Sequence, residues 1–223
     1  MKGLEYLFKS WFRRKWSVII TAALFVGLLV ICCVGTNELS SEDYLMPMAF
    51  LPLVPYCVLV IAMSVAFISI NGCRLIRSSP IAKELYTRSV PMFIIGLTLG
   101  SMAVAVGVFF TFITIWGASA AFFSDALIFM AIGCGVNIIG YSLLSRVMFG
   151  GIFGVYLTMF PYIGFILALS SDIKHNGFGL PVWASALIFA GAVIVSSAVS
   201  FIVCGVLFRK LNFKTPATAY TTK

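Results

Sequence analysis

Apolar runs dominate the chain, and six of them reach or approach the roughly 20 residues that a helix needs to cross hydrocarbon: 17–35, 47–72, 90–116, 122–145, 147–170 and 182–208. The pattern predicts an all-α, polytopic membrane protein with six transmembrane helices over 17–208. Ahead of them, residues 1–16 read "MKGLEYLFKSWFRRKW", with Leu4, Leu7, Phe8, Trp11 and Phe12 on one helical face and Lys2, Glu5, Lys9 and Arg13 on the other. That segment is expected to be an amphipathic helix lying flat on the inner leaflet. The longest polar interruption is a loop over 73–89 that contains "RLIRSSPIAKELYTR", and a polar tail over 209–223 closes the chain.

Composition agrees with the pattern: 61% of residues are apolar, 10% are charged and the mean hydropathy is +1.10, far from a soluble domain. The first apolar run, 18–34, is longer than a signal-peptide core and has no small-residue cleavage pattern, so it is expected to be retained. With both termini in the cytoplasm, fourteen of the fifteen Lys and Arg residues fall inside and only Lys174 falls outside. Five of the seven acids (Glu38, Glu42, Asp43, Asp125 and Asp172) fall outside, leaving Glu5 and Glu84 inside. The net charge of +8 is therefore an orientation signal for an inner-membrane protein, and no nucleic-acid partner is implied.

Trp11, Trp16, Trp116 and Trp183 all fall at expected membrane boundaries, where an amphipathic ring is favoured. None of the six cysteines lies in an outer loop, so no disulfide framework is expected. Pro47, Pro52 and Pro55 should kink the second span in its outer half, as Pro161 should the fifth. The pairs Gly96/Gly100 and Gly150/Gly154 predict close helix contacts.

Chemistry is sparse. Ion-coupled transporters carry ionisable residues inside their spans, whereas here only Asp125 comes near one, and it reads as an interfacial carboxylate. The Ser and Thr residues of the spans read as helix-to-helix hydrogen-bonding groups. There is no phosphate-binding loop, no H-E-x-x-H and no G-x-S-x-G. The single His175 sits beside Lys174 and Asn176 without further metal ligands. No catalytic residue and no cofactor are expected in this chain, so any work it does must be driven from another polypeptide.

In the 73–89 loop, Ser79 can cap a short helix and Pro80 can occupy its first position. Ile81, Leu85 and Tyr86 would then form an apolar patch ringed by charge, with Arg88 and Pro91 ending the helix before the third span. Such a helix suits docking into a partner groove; a basic loop that only anchors topology is the plainer reading.

The flat N-terminal helix, the six spans and the segment "R-S-S-P-I-A-K-E-L-Y-T-R" together resemble the permease subunits of type-two ATP-binding-cassette (ABC) exporters, and "MKGLEYLFKSWF" is similar to the start of their smaller bacterial members. Departures are Arg77 and Ser78 where a Leu is common, and Ser10 after Lys9 where an Asp is usual. The resemblance implies that Ser79, Pro80, Ile81, Lys83, Glu84 and Leu85 contact a separate ABC ATPase that binds ATP and Mg. It also implies a second permease, identical or different, with the substrate path between the two. The motif does not fix that path, which is expected near Pro55, Ser64 and Thr158. Peptide, lipid and drug-like cargo all fit. The alternative is a six-helix substrate-capture subunit of a vitamin or metal importer; a membrane enzyme or structural assembly protein has no motif behind it.

Overall fold

The computed structural model describes residues 2–37, 51–73, 76, 81–115, 120–147, 149–169 and 177–210. All regular structure among them is helical. In chain order the helices are α1 (Lys2–Phe12), α2 (Lys15–Asn37), α3 (Leu53–Gly72), α4 (Ala82–Glu84), α5 (Val90–Ile115), α6 (Ala120–Leu143), α7 (Gly150–Gly154), α8 (Phe160–Ala168) and α9 (Val182–Lys210). Two π-wound turns, Leu85–Ser89 and Val155–Met159, join α4 to α5 and α7 to α8. Four helical stretches are long and apolar enough to cross a membrane: Leu53–Gly72, Ala82–Thr111, Phe122–Leu143 and Val182–Arg209. Lys15–Val30 and Ile152–Ala168 are apolar but shorter.

The prolines act differently from the expected kinks. Pro47 lies outside the described residues, but Pro52 immediately precedes α3 and Pro55 sits in its first turn. A missing N–H is harmless there, because the first helical donors have no intrahelical acceptor. These prolines start the helix; they do not bend it.

Pro91 does not end the loop helix either. Helix continues from Ala82 through the π turn into α5, and the Val90 N–H reaches back five residues to the Leu85 carbonyl. The second π turn stands in the same relation to Pro161, ending two residues before it. A proline cannot donate to the carbonyl four residues back and its ring crowds that carbonyl, so a widened turn just ahead of it keeps the helix continuous.

The core has two layers. Near α1 it is built from Leu7, Leu59, Phe67, Ile70, Leu85, Tyr86, Phe93 and Tyr141. Toward the opposite end it is built from Leu51, Val54, Met102, Phe109, Phe129, Met130 and Tyr162. The pair α6 and α9 is joined by hydroxyls. Ser124 donates to the Leu180 carbonyl at 2.6 Å, so its oxygen accepts from Ser185, also at 2.6 Å. Likewise Ser142 donates to Ile138 and accepts from Ser200 at 2.6 Å, while the Cys204 thiol donates to Ser145 Oγ at 3.7 Å. Lipid supplies no hydrophobic drive for helices to associate, so small residues and hydroxyl bonds carry more of the contact. On its other face α9 exposes Trp183, Leu187, Ile194 and Ile202.

Only one of the two Gly-x-x-x-Gly pairs makes a contact. A Cβ on Gly150 would meet Leu144 and Phe67, and one on Gly154 would meet the Tyr141 ring. Nothing lies within 4 Å of the Cβ positions of Gly96 and Gly100, which instead line an open apolar groove between α2 and α5.

Candidate functional site

The helix predicted for the 73–89 loop is present from Ala82 onward; Ser79 and Pro80 lie outside the described residues. Ala82, Leu85, Tyr86 and Ser89 recur at i, i+3, i+4 and i+7 and are all buried, while Ile81, Lys83, Glu84 and Arg88 are exposed. Leu85 thereby corrects an expectation. At 2% exposure it belongs to the core, as does Tyr86 at 1%, and of the expected patch of Ile81, Leu85 and Tyr86 only Ile81, 50% exposed, faces outward. The reason is α1, which occupies the space beside Leu85. A Cβ on Gly3 would come within 2.6 Å of Ser89 Oγ and 3.1 Å of Leu85 Cδ1, so the glycine lets the two elements approach without either side chain having to shift.

The same packing changes the picture of α1. Its apolar face is turned to the bundle, with Leu7 fully buried and Trp11 at 8% exposure, and Phe8 meets Phe93 edge to face at 4.9 Å. Phe12 alone of that face is mostly exposed. Burying Leu7 and Trp11 against protein is worth about 1.5 to 3 kcal/mol for each aliphatic-sized payload, so α1 is a packed element and not a helix resting only on lipid.

Inside the loop helix lies a polar knot that the sequence reading missed. Tyr86 donates its hydroxyl proton to Asn71 Oδ1 at 2.7 Å, with the Ile70 carbonyl at 3.2 Å as a secondary acceptor. Asn71 Nδ2 donates to the carbonyls of Ser145 at 3.0 Å and Val147 at 3.3 Å, in the turn between α6 and α7. The Arg146 guanidinium stacks 4.4 Å from the Tyr86 ring centre and 5.5 Å from that of Phe208, and the two rings are themselves stacked. One side chain of the loop helix thus touches the end of α3, the α6–α7 turn and the end of α9. Asn71 at the end of an apolar run and Arg146 as a lone cation are visible in sequence, but nothing there shows that they meet.

Of the three residues expected along a substrate path, one lines a cavity. Thr158, in the second π turn, borders a space of about 10 Å³ together with Tyr56, Gly133, Asn137 and Tyr162. That is room for one water molecule and not for cargo. Tyr56 Oη lies near the hydroxyls of Thr158 and Tyr141, with neither tyrosine hydroxyl well aligned on a protein partner. Thr158 gives its proton to the Gly154 carbonyl at 2.7 Å and its methyl presses on Gly140. Pro55 is buried beside Tyr56. Ser64 is half-buried and donates to Val60 at 2.6 Å, so neither joins the cavity.

Asp125 proves to be a loop anchor. It is 2% exposed and accepts from the Phe178 N–H at 3.0 Å, while Gly177, at φ 73°, packs against the carboxylate. His175 lies outside the described residues, and among those described no group of three metal-ligating side chains forms. No protein-family model matches the chain, and neither a curated protein nor a solved structure matches it significantly.

Proposed function

We propose that this chain is the membrane-embedded permease subunit of an ABC exporter, set in the cytoplasmic membrane with six spans and both termini inside. In this reading α2 and the α7–α8 stretch complete the set begun by the four longer helices, and the fourteen-to-one basic asymmetry sets the orientation. A separate ATPase supplies ATP and Mg chemistry, and a second permease, the same or different, completes the path.

The observation that supports it best is the two-sided character of the loop helix. Its outer side offers Ile81, Lys83, Glu84 and Arg88. Its inner side is tied through Tyr86 and Asn71 to three other parts of the bundle, so a push on the outer side is felt at the ends of α3, α6 and α9. A loop serving only as a topological anchor needs no such fastening.

The test is purification of the full chain, tagged, from its native host. A nucleotide-hydrolysing subunit should accompany it. Ile81→Asp should remove that subunit without disturbing membrane insertion, and Lys83→Ala should have little effect, since a wet rim charge contributes about 1 kcal/mol or less. ATP turnover by the chain alone, or retention of the same partner by Ile81→Asp, would overturn the proposal.

A further inference from the structure

On the side of α1 away from its apolar face, the elbow between α1 and α2 borders a half-open basic cavity. It is lined by Tyr6, Lys9, Ser10, Arg13, Arg14 and, from the last turn of α3, Ser69, around about 610 Å³ of space. Three of the six are cations, three carry hydroxyls and none is acidic. Glu5 is the nearby acid on α1, and it pairs with Lys9 at 2.6 Å along the helix. The elbow fixes the two arginines: the Arg13 N–H bonds to the Lys9 carbonyl and the Arg14 N–H to the Trp11 carbonyl, while Ser17 and Val18 bond back to the Arg14 carbonyl. Two guanidiniums therefore leave the backbone within one tight turn.

We propose that this cavity binds a phosphate group, and that its occupant is the headgroup of an anionic phospholipid. The depth argues for lipid. Ser69 lies three residues from the end of a helix that is long and apolar enough to span a membrane, and Trp16, 76% exposed, follows Arg14 by two positions at the start of the apolar stretch of α2. The cavity thus sits at headgroup level, where an anionic leaflet attracts cations and an indole ring is favoured. The chemistry argues for phosphate: guanidiniums give paired, charge-assisted hydrogen bonds to phosphate oxygens, and the Tyr6 hydroxyl adds a neutral donor beside them, while Ser10 and Ser69, whose protons go to the Leu7 and Val65 carbonyls, line the cavity as small polar walls. The proposal depends on the membrane reading of α2 and α3 and not on any ATPase, so the two proposals can fail separately.

The test uses the full chain in zwitterionic detergent, with retained lipid counted by native mass spectrometry after mixing with phosphatidylglycerol or with phosphatidylcholine. Phosphatidylglycerol should be held preferentially by the unaltered protein. Replacing both Arg13 and Arg14 by Gln should weaken that retention by about thirty-fold, the effect of two surface cations on an anionic lipid, while Lys83→Gln with Arg88→Gln, the same charge loss elsewhere, should leave it within about two-fold. Ser69→Glu, which puts a carboxylate into the cavity without touching α1, should also abolish the preference. Inorganic phosphate at millimolar concentration should compete weakly; complete displacement by phosphate would show that the site serves soluble phosphates and would overturn the lipid assignment. Equal retention of the two lipids by the unaltered protein, or equal losses in both double variants, would overturn the site itself.

Discussion

Tyr86→Phe and Asn71→Ala form a cycle that measures whether the knot beneath the loop helix holds the bundle together. Tyr86→Phe keeps the ring that Arg146 and Phe208 stack on and removes only the hydroxyl at 2.7 Å from Asn71. Its expected cost is about 1 kcal/mol, the net worth of one buried hydrogen bond, which in membrane proteins runs from about 0.6 to 1.7 kcal/mol. Asn71→Ala removes that acceptor and also the donor serving Ser145 and Val147, so about 2 to 3 kcal/mol is expected. In the Asn71→Ala background the Tyr86 hydroxyl has lost its shorter acceptor and retains the 3.2 Å approach to Ile70, so its further removal should cost much less. The two changes should therefore be non-additive by about 1 kcal/mol. Tyr56→Phe serves as a control: that hydroxyl is buried without a well-aligned protein partner, and its loss should cost less than that of the Tyr86 hydroxyl. The assay is reversible unfolding in mixed micelles titrated with dodecyl sulfate, followed by circular dichroism. Additive losses in the double variant, or a Tyr56→Phe cost equal to that of Tyr86→Phe, would refute the reasoning.

Gly3→Leu should lower the midpoint of the same titration by about 1 to 3 kcal/mol, the usual cost of overpacking, because the added side chain meets Ser89 and Leu85; an unchanged midpoint would mean that α1 is not docked. A cysteine introduced at Asn176 should react with an impermeant maleimide on intact cells and one at Ser79 should not, with the opposite labelling reversing the proposed orientation. Deleting Thr87 should turn the first π turn into ordinary α-helix, rotate α4 by about 100° and bring Lys83 and Glu84 toward the core, with a large loss of thermal stability as the readout. A variant that melts as the parent does would show that the π turn carries no packing.

The membrane character, the helical class and most helix positions were legible in sequence because a bilayer demands length and apolarity from each span, and both are properties of consecutive residues. The face of the loop helix was legible only in part. Its period placed Ile81 and Leu85 on one patch, but the burial of Leu85 depends on α1, which lies some eighty residues away in the chain, and no local pattern reports that. Gly3, a glycine early in an otherwise strong helix, is the signal from which that contact could have been read. The polar knot was illegible for the same reason as Leu85: Asn71, Tyr86, Arg146 and Phe208 come from four separate parts of the chain. Prolines were read by their effect on a uniform α-helix, whereas their position in a first turn or just after a π turn removes the penalty.

The π turns bear on how motion could pass through the molecule. In the stretch from α4 into α5, the buried pairs Leu85/Tyr86, Ser89/Val90, Phe93/Ile94 and Leu97/Thr98 recur every four residues. An α-helix of 3.6 residues per turn would carry that stripe steadily away from the core, and one widened turn absorbs the difference. The gain is a rod that runs from Ala82 to Thr111 without a flexible joint, with one inward face along its first half. A loop helix linked to its span by a hinge would absorb a displacement at Ile81 locally; a continuous rod pinned by Tyr86 carries it into the bundle. The second π turn places Thr158 against Gly140 and beside the buried hydroxyl of Tyr56, so the helix is widened where hydroxyls cluster inside the bundle.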